Sequence, residues 1–136
     1  VAIDEVVISA GLGFRAGTTL KELEDALQAA LARHERTLAE LGSLCVADFK
    51  RDAASLRALS ARIDKPLVLC TPAALRAALP TRTQSLEILR RYGVGSLSEA
   101  CALHGALAHG SSARLLGPRL LAGSVTCALA ISESSR

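Results

Sequence analysis

Residues 5–31, EVVISAGLGFRAGTTLKELEDALQAAL, decide the fold class. The stretch EVVISA at 5–10 is β-branched and apolar, which predicts a short strand. A glycine-rich turn, GLGFRAGTT at 11–19, follows it. Thr19 with Glu22 is a capping box that opens a helix. Leu20, Leu23, Leu27 and Leu31 then recur on one face at helical spacing.

The same alternation continues outward. Thr37 and Glu40 predict a short helical turn stopped by Gly42. LCVADF at 44–49 is a second apolar strand, interrupted by Lys50, Arg51 and Asp52. Leu56, Leu59 and Ile63 mark the next helix, and Pro66 leads into a third strand, LVLC at 67–70. Thr71 and Pro72 read as a cap and a first-turn proline, opening a short helix that ends at Pro80. PTRTQS at 80–85 is a polar loop, and Ser85 caps a turn or two before Gly93. Ser96 and Glu99 form another capping box, for a helix with Leu97, Ala100, Cys101, His104 and Leu107 on its inner face. After the loop HGSS at 109–112, ARLLG and SVTCALAIS read as two strands. Their link of about 6 residues cannot hold a crossover helix, so they pair antiparallel. The closing SESSR is expected to be loose.

The order is β-α-β-α-β-α-α-β-β, with apolar, non-alternating strands. That predicts an α/β fold: a three-layer α/β/α sandwich with a mostly parallel sheet of about five strands and a C-terminal antiparallel pair. One domain spanning 1–136 accounts for the length.

Composition excludes several classes of function. Half of the 136 residues are hydrophobic, so the chain is not disordered. No apolar stretch approaches ~20 residues, so no membrane span is expected. No basic segment leads into an apolar run near the start, which argues against a secretory signal and for the cytoplasm. A net charge of +3 with only Phe14, Phe49 and Tyr92 as aromatics offers no platform for nucleic acid. The basic set is mostly arginine, whose fork suits carboxylates and phosphates, although GC-rich coding produces the same excess. Cys45, Cys70, Cys101 and Cys127 contain no C-x-x-C pair and read as small buried hydrophobes. His34, His104 and His109 form no constellation, so neither metal nor cofactor is expected. No G-x-S-x-G and no cysteine–histidine pairing marks a catalytic centre.

In open α/β sheets, ligands collect outside the carboxyl ends of the strands. Three loops belong there: 11–19, 49–52 and 70–72. In the first, Gly11, Gly13 and Gly17 permit close backbone approach, and the helix start near Thr19 presents amides to an anion. Arg15, Thr18 and Thr19 add donors. The loop is not a Walker motif, and it meets the dinucleotide pattern only with Ala16 as its last small residue. In the second loop Lys50 and Arg51 oppose the dipole of the following helix, a term that an anionic ligand, or Asp48 or Asp52, offsets.

GLGFRAGTT at 11–19, VADFKRDAASLRALS at 46–60, GVGSLSEACAL at 93–103 and SVTCALA at 124–130 occur in that order. Together they resemble the CobE / CbiG C-terminal domain family of cobalamin biosynthesis, from about Val6 to Ala130. The resemblance implies an α/β/α sandwich. In longer relatives this domain ends a hydrolase that opens a ring-A lactone of a cobalt-precorrin and releases acetaldehyde. The present chain is similar to the free-standing members of the aerobic pathway. Phe14 replaces a residue that is smaller in many relatives, and Ala16 replaces a second base. Arg119, after Gly117 and Pro118, stands where a lysine is frequent.

The implied ligand is a precorrin or hydrogenobyrinic-acid-like tetrapyrrole, flat, apolar on its faces and armed with carboxylates. The candidate binding set is Gly11, Gly13, Phe14, Arg15, Gly17, Thr18, Thr19, Lys50, Arg51 and Arg119. The glycines form a floor, Phe14 packs on the ring, and the cations meet the carboxylates. A carrier or accessory protein is the expectation. A precorrin hydrolase or lyase using Asp48 or Lys50 as acid or base, and a docking module for other pathway enzymes, are the alternatives.

Overall fold

Six strands alternate with and then follow five helices in the computed structural model, which describes residues 7–77 and 80–133. The strands are β1 (Ile8–Gly13), β2 (Leu41–Ala47), β3 (Leu67–Cys70), β4 (Ser112–Leu115), β5 (Leu120–Ala122) and β6 (Val125–Glu133). The helices are α1 (Leu20–Arg33), α2 (Ala54–Ile63), α3 (Pro72–Ala77), α4 (Leu86–Tyr92) and α5 (Leu97–Leu107).

The sheet runs β3-β2-β1-β6-β4, and β5 also pairs with β6. β1 with β2 and β2 with β3 are parallel, whereas β6 is antiparallel to β1, β4 and β5. Five strands therefore point one way and β6 alone opposes them. The fold is the expected α/β class with a mostly parallel sheet and an antiparallel C-terminal pairing.

Strand side chains alternate between two faces, and both faces are covered by helices. Ile8, Ala10 and Leu12 of β1 pack with Leu23, Leu27 and Leu31 of α1 and with Leu56 and Leu59 of α2. On the other side, Cys45 and Ala47 of β2 meet Leu75 of α3 and Ala100 and Cys101 of α5. Ala128 and Ala130 of β6 meet Ala102, Leu103 and Ala106 of α5.

α5 lies on the sheet at unusually short range. A Cβ placed on Gly11 would collide with the Ser98 carbonyl oxygen, and one on Gly105 with the Cys45 sulfur. One glycine on each side of this interface lets backbone and side chains nest.

That packing corrects the expected boundaries. β1 continues through Gly13, so Gly11 and Gly13 are strand residues rather than parts of a turn; residues 5 and 6 lie outside the described residues. The glycines read as a turn because their partners, α5 for Gly11 and Thr126 of β6 for Gly13, are almost ninety or more positions away. β2 begins at Leu41 and contains Gly42, where the register against β1 shifts, so Gly42 does not stop a helix there. Asp48 and Phe49 belong to a short 3-10 turn. β5 has only three residues inside the link between the two expected strands, too few to carry a periodic signal.

The helix starts follow the side chains named in the sequence. Thr19 with Glu22 forms a complete capping box, whereas at Thr37 the Glu40 carboxylate accepts from the Thr37 amide at 3.0 Å and the Thr37 side chain returns no bond to a helix amide. Thr71 Oγ1 accepts from the Ala74 amide, and Ser85 Oγ from that of Ile88. Ser96 accepts from the Glu99 amide, but Glu99 does not return the bond.

Candidate functional site

The first two strands end beside each other, and the segments after them face across a cleft. Phe14 and Arg15 leave β1, whereas Phe49 and Lys50 lie just beyond β2. The cleft encloses about 440 Å³. Its walls are residues 14–19 on one side, Phe49, Lys50 and Asp52 on another, and Ala53–Ser55 at the start of α2. A second hollow of about 190 Å³ shares Phe14 and Arg15 and adds Gly13, Ile88, Leu97, Arg119, Ser124 and Thr126. It sits where β1 meets β6, the point at which strand order reverses. Crevices of this kind, at carboxyl strand ends, hold the ligands of open α/β sheets.

All three aromatic rings of the chain gather here. The Lys50 ammonium stands 4.8 Å from the Phe14 ring centre and 5.7 Å from that of Phe49. Phe49 stacks on Tyr92 with centroids 5.7 Å apart and planes 10° from parallel. The Arg91 guanidinium covers Tyr92 at 5.9 Å. Phe49 is 53% exposed whereas Phe14 is only 9% exposed. Phe14 is thus a wall of the core, and Phe49 offers the accessible ring face. The sequence alone pointed to Phe14 for that role.

Burial lowers the pKa of Lys50 from its usual 10.5, because the charged form loses hydration. Among the described residues, no carboxylate pairs with Lys50, Arg15 or Arg119. Six other cations do have partners, such as Arg62 with Glu24 at 2.7 Å and Arg57 with Asp52 at 3.5 Å.

The loop amides are less available than the sequence suggests. Thr19 donates both its amide and its hydroxyl to Glu22 Oε1, each at 3.0 Å. The N-terminus of α1 is therefore closed by its own capping box. Gly17 adopts φ +87° in a turn closed by the Thr18 amide on the Arg15 carbonyl at 3.2 Å. The start of α2 is different: Ala53 occupies the cap position and supplies no side-chain hydrogen bond. α2 is the one described α-helix without a capping side chain, and its first residues line the cleft.

Gly13, Phe14, Arg15, Gly17, Thr18, Thr19, Lys50 and Arg119 are thus brought to the two hollows. Gly11 is not, because α5 covers it. Nor is Arg51, which turns away from the cleft and donates its Nε to the Asp48 carbonyl at 3.2 Å.

Sequence reading missed the stacked Phe49–Tyr92 pair, since no local pattern joins residues forty-three positions apart. The uncapped start of α2 was legible in Ala53, which follows Asp52 one place too late for a cap. By sequence Glu99 is half of a capping box. Its buried carboxylate instead accepts from the Arg82 amide at 2.6 Å, the Thr83 amide at 2.8 Å, the Thr83 hydroxyl at 2.6 Å and the Arg119 amide at 2.9 Å. That bond fixes the backbone behind Arg119 at the rim of the smaller hollow.

Cys45, Cys70, Cys101 and Cys127 are free and buried. Among the described residues, no group of His, Cys, Asp and Glu side chains is arranged to hold a metal ion. No described helix is long and apolar enough to cross a membrane.

The family described as cobalamin synthesis G C-terminus matches residues 8–130. Among solved structures, CobE, a protein from the cobalamin (vitamin B12) biosynthetic pathway, is 34% identical, with a TM-score of 0.87 over 96% of this chain and 94% of that one. The cobalamin biosynthesis protein chiG from Agrobacterium tumefaciens is 28% identical, with a TM-score of 0.72 over 94% of this chain and 100% of that one. A putative cobalamin biosynthesis protein G homolog from Sulfolobus solfataricus shares the fold at 16% identity and a TM-score of 0.70, over 94% of this chain and 37% of that one. No curated protein matches the chain.

Proposed function

Since the chain belongs to the cobalamin synthesis G C-terminus family and is a cobalamin biosynthesis pathway protein, we propose that it binds a carboxylate-armed precorrin or corrin intermediate in the cleft beyond β1 and β2. It acts there as a carrier or accessory protein of the aerobic pathway. One observation carries this reading: two rings, Phe14 and Phe49, and three cations without carboxylate partners among the described residues line two adjoining hollows.

The chemistry of such a ligand matches the site in kind. A flat apolar macrocycle stacks against an exposed ring, and Phe49, backed by Tyr92, presents one. Its carboxylates are met by Arg15, Lys50 and Arg119 through charge-assisted hydrogen bonds. The uncapped amides of α2 add a further acceptor-seeking group beside the cations. A ligand wider than the larger hollow extends across Phe14 and Arg15 into the smaller one, where Arg119 waits.

Titration with hydrogenobyrinic acid and with uroporphyrin tests the proposal. Binding is expected to shift the visible absorption bands of at least one of them and to raise the melting temperature of the protein. Arg15→Ala should weaken binding by about two- to fivefold, the value of a solvent-exposed charged contact. No spectral change and no thermal shift with either compound overturns it.

A further inference from the structure

The three cations of the cleft differ in their surroundings. Arg15 is exposed, so its guanidinium remains hydrated and discriminates weakly between a charged and a neutral acceptor. Lys50 is half-buried, over the Phe14 and Phe49 rings. The rings attract its charge but replace little of the hydrogen bonding it gave up. The two acidic residues of its own loop leave it unpaired: Asp52 binds Arg57, and no ion pair joins Asp48 to it.

A half-buried, unpaired ammonium distinguishes ligands by charge. In a partly desolvated site the attraction between opposite charges is several times its value in water. A carboxylate arm therefore restores what burial removed. A carboxamide arm of the same size offers one neutral acceptor and turns an N–H₂ donor toward the same ammonium. A site built around a buried polar group rejects the analogue that leaves it unsatisfied.

Resting on the corrinoid-binding reading above, we propose that Lys50 is the specificity-determining residue by which the cleft takes the free-acid form of a macrocycle arm and rejects the carboxamide form. The protein then holds a tetrapyrrole acid whose arm at this position is not amidated.

Absorbance titrations of cobyrinic acid and of its fully amidated form against the wild-type protein, Lys50→Gln, Lys50→Met and Lys50→Arg test this. The wild type should bind the acid roughly tenfold or more tightly than the amide. Lys50→Gln should lose that preference by weakening the acid and sparing the amide, and Lys50→Arg should keep it. Lys50→Met, whose thioether packs on rings, serves as the second neutral variant should the glutamine protein fail to fold. Equal wild-type affinities for acid and amide overturn this inference while leaving corrinoid binding intact. So does a preference that survives both neutral substitutions. Failure of the wild type to bind either compound removes the corrinoid reading and this inference together.

Discussion

Gly11 illustrates how much a single missing methyl group controls. Its hydrogen leaves room for the Ser98 carbonyl of α5, and backbone cannot step aside as a flexible side chain does. Gly11→Ala should destabilise the protein by about 3 kcal/mol, the upper part of the overpacking range, read as a lowered urea midpoint. Glu99 makes a contrasting case, for it satisfies four donors in a fully buried position. Glu99→Ala orphans the three amides and should cost about 3 kcal/mol or more. Glu99→Gln should cost less, because one oxygen still accepts while the new amide group opposes a backbone donor. Lys50 provides the pH signature. Its folded pKa lies below 10.5, so between the two values the unfolded chain holds a proton that the folded chain has released. Stability from this group is present above 10.5 and is lost as pH falls through the lowered value. Carboxylate binding runs the other way and weakens as Lys50 deprotonates. Acid-ligand affinity should therefore fall over that alkaline window in the wild type and stay level in Lys50→Arg, whose guanidinium keeps its charge.

At the level of the helices, the informative comparison is between α1 and α2. Thr19→Ala should lower stability by about 1 kcal/mol through the lost cap and leave ligand affinity unchanged, since Thr19 is committed to Glu22. Ala53→Ser should do the reverse on two counts. A hydroxyl at this position closes the free end of α2 and stabilises the protein by about 0.5–1 kcal/mol, while competing with a ligand carboxylate for the same amides. Denaturation midpoint and ligand titration on one variant check both signs. The elements legible in sequence were those whose signals are local. Caps at Thr19, Thr71 and Ser85 bind amides within three residues, and Leu23, Leu27 and Leu31 repeat within one helix. The elements misjudged at their ends depend on distant partners. β1 extends to Gly13 because β6 pairs with it that far, and no feature of GLGFRAGTT announces β6.

For the molecule as a whole, the buried thiols report on cooperativity. Burial pushes the Cys45 and Cys127 thiols up to about 12, and Cys70 at the end of β3 shares a core cluster with Cys101 of α5 and Leu75 of α3. None of the four should react with iodoacetamide in the native state near neutral pH, because all are buried away from the reagent; Cys70, whose pKa a hydrogen bond from Cys101 lowers, should be the first to react once the core opens. Labelling should follow global unfolding in urea; a thiol modified well before the unfolding transition would mark a region that opens independently. The strand–helix order could be written down from the sequence because apolar runs and caps alternate along it. The assembly of the site could not, since Phe49 and Ala53 come to one hollow and Arg119 to its neighbour only once β1, β2 and β6 lie side by side. Arg15 and Lys50 were foreseeable because both lie in loops that follow predicted strands. The Glu99 carboxylate also gives the molecule a property that no pair of neighbours supplies. It clasps residues 17 positions before it and 20 positions after it, yoking two stretches that are distant only along the chain. Neither stretch can slacken alone, so the grip at Arg119 and the set of the outer loop at Arg82 are inherited, kept and forfeited together.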